Sequence, residues 1–293
     1  MPPLLLPGDP GRPFFAYGLL QPGELAFPQL EPFVSSQNRA QVRGTLRLRD
    51  GIPLLDPDYD GQVEGWLLQF DPARQAEAWQ AVCAFEPPSQ YTWAVAEAIS
   101  AAGTTPANVL TGRKLGSGTT PGTVQRWSAS QDPVLAEGLD EAEQLAREAV
   151  PDGSVPSQPD TPELWRSFFR LQAAYLLLWS IVERYTALRF GPGLGPAERI
   201  RRLGQDPSFR SAVAGAGATP GAVVDSRDPG CRHRLAADGT GAAAYYYQVR
   251  SNLSHRGKSA FLDAQLVHKA VTELGQAMRI LLATQLPSPD PRA

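Results

Sequence analysis

The chain has 293 residues, 42% of them hydrophobic, and a formal net charge of −3. That is enough apolar material for packed cores and a length at which two domains are natural. No run of about 18 apolar residues suggests a membrane span. The two cysteines, Cys83 and Cys231, stand far apart, which argues against both a disulfide framework and a four-ligand zinc site. A soluble, cytoplasmic protein is the expectation, since the first ten residues lack a basic run and carry prolines, unlike a signal peptide. The net charge hides an asymmetry: residues 1–159 hold 10 Lys and Arg against 19 Asp and Glu, residues 160–286 hold 16 against 10. The positive half is the one expected to meet an anion such as a nucleic acid.

Residues 1–12 read as a disordered, proline-rich lead-in. Phe14 to Leu20 reads as a short aromatic strand running into the turn signal Gln21-Pro22-Gly23-Glu24. Two half-buried strands are predicted at 40–48 and 62–70, joined by an Asp/Pro/Gly-rich loop over 50–60. Alternation puts Val42, Gly44 and Leu46 on one face of the first, and Val63, Gly65 and Leu67 on one face of the second. Asp71 and Pro72 have the chemistry of a helix start, with the helix running to about Ala84. Phe85-Glu86-Pro87-Pro88 stops it, a strand follows over 90–99, and Gly/Thr-rich segments over 101–124 close the domain. Gly112 to Gly118 is glycine-rich and basic but lacks the Gly-Lys-Thr/Ser order of a phosphate loop.

Four pieces of this half stand in an order that resembles the gamma-glutamylcyclotransferase-like family over residues 13–126. They are Tyr17-Gly18-Leu19-Leu20, Val42-x-Gly44-x-Leu46, Gly61-x-Val63-x-Gly65-x-Leu67, and Glu86 followed by Tyr91. The resemblance implies a mixed α/β domain, a β-barrel with helices. It implies that backbone N–H groups at Tyr17, Gly18, Leu19 and Leu20 hold a carboxylate of a small gamma-glutamyl-like or other anionic ligand. It also implies that Glu86 shuttles protons while an amine attacks the gamma-glutamyl carbonyl. Glu86 between Phe85 and Pro87 has neighbours that would raise its pKa by desolvation. Three positions depart from the family: Pro87 where glycine is usual, Trp93 where an arginine is expected, and Leu19 where a hydroxyl residue is common. The departures leave open a pocket that only binds, or a scaffold.

An acidic-faced helix is predicted within 133–150, then a linker over 151–159, so that residues 127–160 separate the two domains. From Thr161 as cap and Pro162 at the first position, a long helix carries the stripe Leu164, Phe168, Leu171, Tyr175, Leu178, Ile181, Val182, Tyr185 and Leu188. Arg199, Arg201 and Arg202 fall on a short helix, either a patch for an RNA backbone or a solvated face. Residues 215–238 read as a loop, in which Cys231 and His233 are close but lack the further pair that zinc needs. Tyr245 to Lys258 reads as an aromatic helix ending near Arg256 with Gly257 beyond it, followed by an apolar helix over 260–286.

Arg250-Ser-Asn252-Leu-Ser-His255, followed by Arg256-Gly257, resembles the Arg-x(4–6)-His signature of the HEPN superfamily over residues 161–286. Glu183 resembles the acid found in the first long helix of some of its members, and otherwise reads as an exposed Glu paired to Arg184 or Arg189. The resemblance implies an all-α helical bundle that dimerises and cuts RNA without metal or cofactor. It gives Arg250 to the scissile phosphate, His255 to proton transfer and Asn252 to orienting them, while Arg256 and Lys258 would add RNA contacts. The expected function is therefore a HEPN-type endoribonuclease homodimer, a toxin or defence effector, with the first domain as ligand-binding module. The alternatives are a cyclotransferase acting through Glu86, or a non-catalytic RNA-binding and dimerisation protein. In the last case His255 only caps its helix and Arg250 solvates a face.

Overall fold

The computed structural model describes residues 4–121, 125–151, 153, 155, 161–255 and 263–286. The chain divides into two compact units. One holds the residues up to Asp132 with Leu188–Gly193, and the other Pro133–Ala187 with Leu194–Gln285.

In the first unit the strands are β1 (Phe14–Ala16), β2 (Val34–Arg43), β3 (Thr45–Arg49), β4 (Ile52–Asp56) and β5 (Gln62–Phe70). Helix α1 (Gln75–Phe85) follows, then β6 (Tyr91–Ser100), β7 (Gly103–Gly112) and β8 (Thr120–Pro121). The order β1-β5-β2-β6-β7, closed by β7 pairing in parallel with β1, makes a five-stranded barrel. Strands β4, β3 and β8 extend it from β7.

Glycine explains where the predicted first strand breaks. Gly44 has φ +138°, a region that side-chained residues rarely enter, and a Cβ there would stand 2.8 Å from the Asp56 carbonyl oxygen. The stretch 40–48 is therefore the end of β2 and the start of β3, not one strand. Gly65 is needed for a different reason, since a Cβ on it would collide with the Ala16 carbonyl oxygen and the Phe15 ring. Gly44→Ala is expected to cost on the order of 2 kcal/mol or more, through backbone strain and that clash. A lowered urea midpoint with unchanged slope is the check.

Four expectations are corrected. The run over 50–60, read as loop, contains β4, whose five residues are all buried. On β5 the buried set changes phase, from Val63 and Gly65 to Leu68 and Phe70, leaving Leu67 half-buried. There α1 covers the other face, with Trp79 edge-on to Phe70 at 5.0 Å. Helix α1 starts at Gln75, and Asp71 instead caps the preceding turn by accepting from Ala73 N–H at 2.9 Å. Finally, residues 4–12 are fixed on the barrel. Trp93 donates its indole N–H to the Leu5 carbonyl (2.7 Å), Trp79 to that of Pro10 (3.0 Å), and the Asn108 amide to that of Asp9 (2.8 Å).

The second unit is mainly helical: α2 (Glu137–Ala149), α3 (Pro162–Phe190), α4 (Pro196–Gln205), α5 (Pro207–Gly215), α6 (Ala242–His255) and α7 (Ala264–Gln285). Thr161 caps α3, its hydroxyl accepting from Leu164 N–H at 3.4 Å, and Phe168 through Leu188 of the predicted stripe are buried. The stretch 215–238 is not all loop, for it pairs β9 (Gly221–Val224) with β10 (Arg232–Leu235) in antiparallel. The acidic helix expected between domains belongs to this unit, where Asp140 and Glu143 of α2 hold Arg279 of α7 at 2.7 and 2.9 Å. Between α3, α6 and α7 buried polar groups pair with one another: Tyr175 donates to the Tyr246 carbonyl, while Glu273 accepts from Tyr246 and from Thr219 twice. No helix among the described residues is long and apolar enough to cross a membrane.

Candidate functional sites

After β1 the chain leaves the barrel wall in a turn, in which Gln21 N–H donates to the Gly18 carbonyl at 3.1 Å. Tyr17 at its head is buried, its hydroxyl donating to the Leu110 carbonyl (2.7 Å) and accepting from Leu55 N–H (3.1 Å). One phenol thus ties the turn to β7 and β4. Opposite, Tyr91 at the start of β6 donates to the Pro53 carbonyl at 2.9 Å. Burial pushes both phenols well above the usual tyrosine range, so both stay neutral.

Between them lies a narrow, partly open cavity lined by Tyr17, Gly18, Leu19, Leu20, Glu86 and Tyr91 together with Ile52 and Pro53. Glu86 follows α1 directly, its backbone N–H donating to the Val82 carbonyl. The Pro87 carbonyl accepts from Gln90 and Tyr91 N–H, closing a turn that leads into β6 and brings Glu86 and Tyr91 to one cavity. Glu86 is half-buried and its carboxyl has no hydrogen-bond partner among the described residues. Burial alone pushes it up to about 8.

The turn opposite presents the complementary chemistry. Leu19 and Leu20 are 4% and 3% exposed. Among the described residues, the backbone N–H groups of Gly18, Leu19 and Leu20 donate no hydrogen bond. Gly18 is half-buried; unpaired N–H groups in buried residues such as Leu19 and Leu20 are rare in folded proteins, and successive unpaired N–H groups suit an anion. Gly18 fits the close approach of the two walls, since a Cβ there would sit 3.1 Å from Pro53 Cγ.

A strap that sequence reading passed over holds these walls. Gln21 donates to the Trp127 carbonyl (2.9 Å), the Trp127 indole donates to the Gly51 carbonyl (2.9 Å), and the Glu24 carboxyl accepts from Ala129 N–H (2.9 Å). Residues 127–129 so fasten both the 17–24 turn and the corner before Ile52. A buried Glu two residues after a Pro-Gly turn's start was the available signal, but its partner lies 105 residues away.

In the helical unit, α6 sends its polar residues in different directions. Asn252 is committed to the fold: its amide donates to the Val224 carbonyl (2.9 Å), and its oxygen accepts from Ser226 N–H (3.1 Å) and the Gln248 amide (2.8 Å). It anchors the end of β9 and does not orient Arg250. Arg250, two residues away and so about 200° around the helix, approaches Glu183 of α3 at 3.9 Å. The same Glu183 oxygen accepts the Trp179 indole N–H at 2.8 Å, which fixes its position. His255 is the last residue of α6; its side chain, Arg256 and Lys258 lie outside the described residues.

Arg201 and Arg202 on α4 both bond Glu198 (2.6 and 2.9 Å), and Arg201, the larger cause, with Arg202 lowers that carboxyl to about 2. The patch is thus partly neutralised; Arg199 shares the helix. Cys231 and His233 approach to 3.6 Å, and among the described residues no group of three or more His, Cys, Asp or Glu gathers as a metal site needs.

Asn252→Ala takes a partner from the Val224 carbonyl, the Ser226 N–H and the Gln248 amide and is expected to destabilise by about 1–3 kcal/mol. Arg250→Ala, which removes only a loose and partly exposed ion pair, should cost less than about 1 kcal/mol. Thermal unfolding of the two variants side by side separates anchoring from a free functional role.

No protein-family model, curated protein or solved structure matches this chain.

Proposed function

We propose that the barrel is an acid–base site for a small gamma-glutamyl-type ligand. The observation that carries this is an unpartnered carboxyl, Glu86, sharing one cavity with three undonated backbone N–H groups. The N–H groups would hold the ligand carboxylate, as the resemblance at Tyr17-Gly18-Leu19-Leu20 implies. The ligand's amine nitrogen would then form a bond to its own side-chain carbonyl carbon while the bond from that carbon to the outer amine breaks. Glu86 takes the proton from the attacking nitrogen and returns it to the leaving one, giving 5-oxoproline and a free amine with no net proton change. Both phenols are spent on backbone groups, which among the described lining residues leaves Glu86 to carry the proton. The experiment is incubation of the full chain with a gamma-glutamyl amide and chromatographic detection of 5-oxoproline; none above the uncatalysed background sinks the reading.

A second reading is supported by the Glu183–Arg250 approach: the helical unit is a metal-independent endoribonuclease of HEPN type. Its cation and acid, far apart in sequence, meet between α3 and α6 next to the helix end that carries His255. The exposed Phe169 and Leu176, two turns apart on α3, suit burial against a second copy. The protein is then a homodimer, and light scattering at micromolar concentration should return twice the chain mass. In this reading the barrel is the ligand-binding module of a toxin or defence effector.

A further inference from the structure

Resting on the barrel reading, we propose that the cavity accepts ligands with a single carboxylate, namely amino-acid side-chain amides whose outer amine bears no acid. To an anion the cavity offers backbone donors alone. No lysine, arginine or histidine is among its lining residues, whose ionisable groups are Glu86 and the phenols of Tyr17 and Tyr91. Both phenols are bonded to backbone groups and neutral. Glu86 is neutral at rest and, once ionised, adds negative charge. The cation felt at Tyr91 is Arg49, whose Nη2 is committed to the carbonyls of Arg113, Lys114 and Ser117 at 2.9, 3.0 and 3.3 Å.

The position where the resemblance expects an arginine holds Trp93. Its indole N–H is spent on the Leu5 carbonyl and its ring stands edge-on to Phe14 and Trp79. Three adjacent N–H groups satisfy one carboxylate. A second carboxylate would meet apolar lining such as Ile52, Pro53 and Leu20 and no lysine, arginine or histidine, and an unpaired buried anion is strongly disfavoured. The apolar wall suits the uncharged substituent of an alkylamide.

The test is calorimetric titration of the full chain, wild type and Glu86→Gln, with gamma-glutamylethylamide and with gamma-glutamylalanine, which differs from it by one added carboxylate, alongside 5-oxoproline detection. The ethylamide should bind at least about tenfold more tightly in both forms, a difference that one unpaired buried charge readily supplies. Equal affinity, or tighter binding of the diacid, overturns the single-carboxylate rule while leaving the barrel reading in place. No heat with either probe and no 5-oxoproline removes the barrel reading, and this inference falls with it.

Discussion

Glu86→Gln is expected to lower 5-oxoproline formation by about a hundredfold or more, the usual scale for losing a positioned proton-transfer group. The amide keeps the shape of the carboxyl but cannot carry a proton between the attacking and leaving nitrogens. Because the base form of Glu86 grows in as pH approaches about 8, wild-type turnover should rise over pH 6–8, and the residual rate of the variant should lack that rise. Stability gives an independent readout with a definite sign. Glu86 is raised in the folded state to about 8 and returns on unfolding to an ordinary value of about 4.3. Between those values the folded chain binds the extra proton, so its stability is fullest at low pH and declines as pH rises towards 8. The decline has an upper bound of a few kcal/mol, reduced because Glu86 keeps some solvent access. The variant should therefore melt closer to, or above, the wild type at pH 9. Unchanged turnover, or an unchanged pH slope in melting temperature, would sink the role given to Glu86.

How far these features could be read in advance depended on the range of the interactions that make them. Strand β5 spans 62–70 as its composition indicates, and the Thr161-Pro162 start of α3 is visible because a cap and its target are three residues apart. Strand β4 hid in a stretch rich in Asp and Pro. Its Ile-Pro-Leu-Leu-Asp is a short, fully buried run that periodicity cannot tell from a loop flank. The lead-in over 4–12 looked structureless since its anchors are indole N–H groups more than 60 residues away. Barrel closure by β1 and β7, across some 90 residues, is equally non-local.

The same logic applies to the sites. The turn at Tyr17-Gly18-Leu19-Leu20 and Glu86 were named from local pieces, and the fold brings them to one cavity. The Glu24–Ala129 and Trp127–Gly51 bonds that secure that turn had no local signature. Asn252 shows the reverse failure. Its position two places after Arg250 suggested a shared task, yet its partners lie on the β9 end, 26 and 28 residues back. Spacing along a helix identifies which residues share a face only at three or four residues, and two is the wrong number.

His255→Ala and Arg250→Ala are each expected to reduce RNA cleavage by about a hundredfold or more, if the helical unit works as the second reading states. His255 would take the proton of the ribose 2′-hydroxyl or give one to the leaving 5′-oxygen, so the products should carry a 2′,3′-cyclic phosphate and a 5′-hydroxyl. Arg250 would stabilise the charge growing on the phosphate oxygens, and for this it must exchange Glu183 for phosphate. Their 3.9 Å separation is long for an ion pair, and Arg250 retains 28% side-chain exposure, so little holds it back. Glu183→Gln should consequently tighten RNA binding modestly, as it removes a competing anion beside Arg250. A lone proton-transfer group serves one half of the reaction, and pairing of two copies would supply the other. RNA binding should survive His255→Ala, which removes little fixed charge, and cleavage should persist in EDTA. Full cleavage by His255→Ala, or activity lost to EDTA in the wild type, would overturn this mechanism.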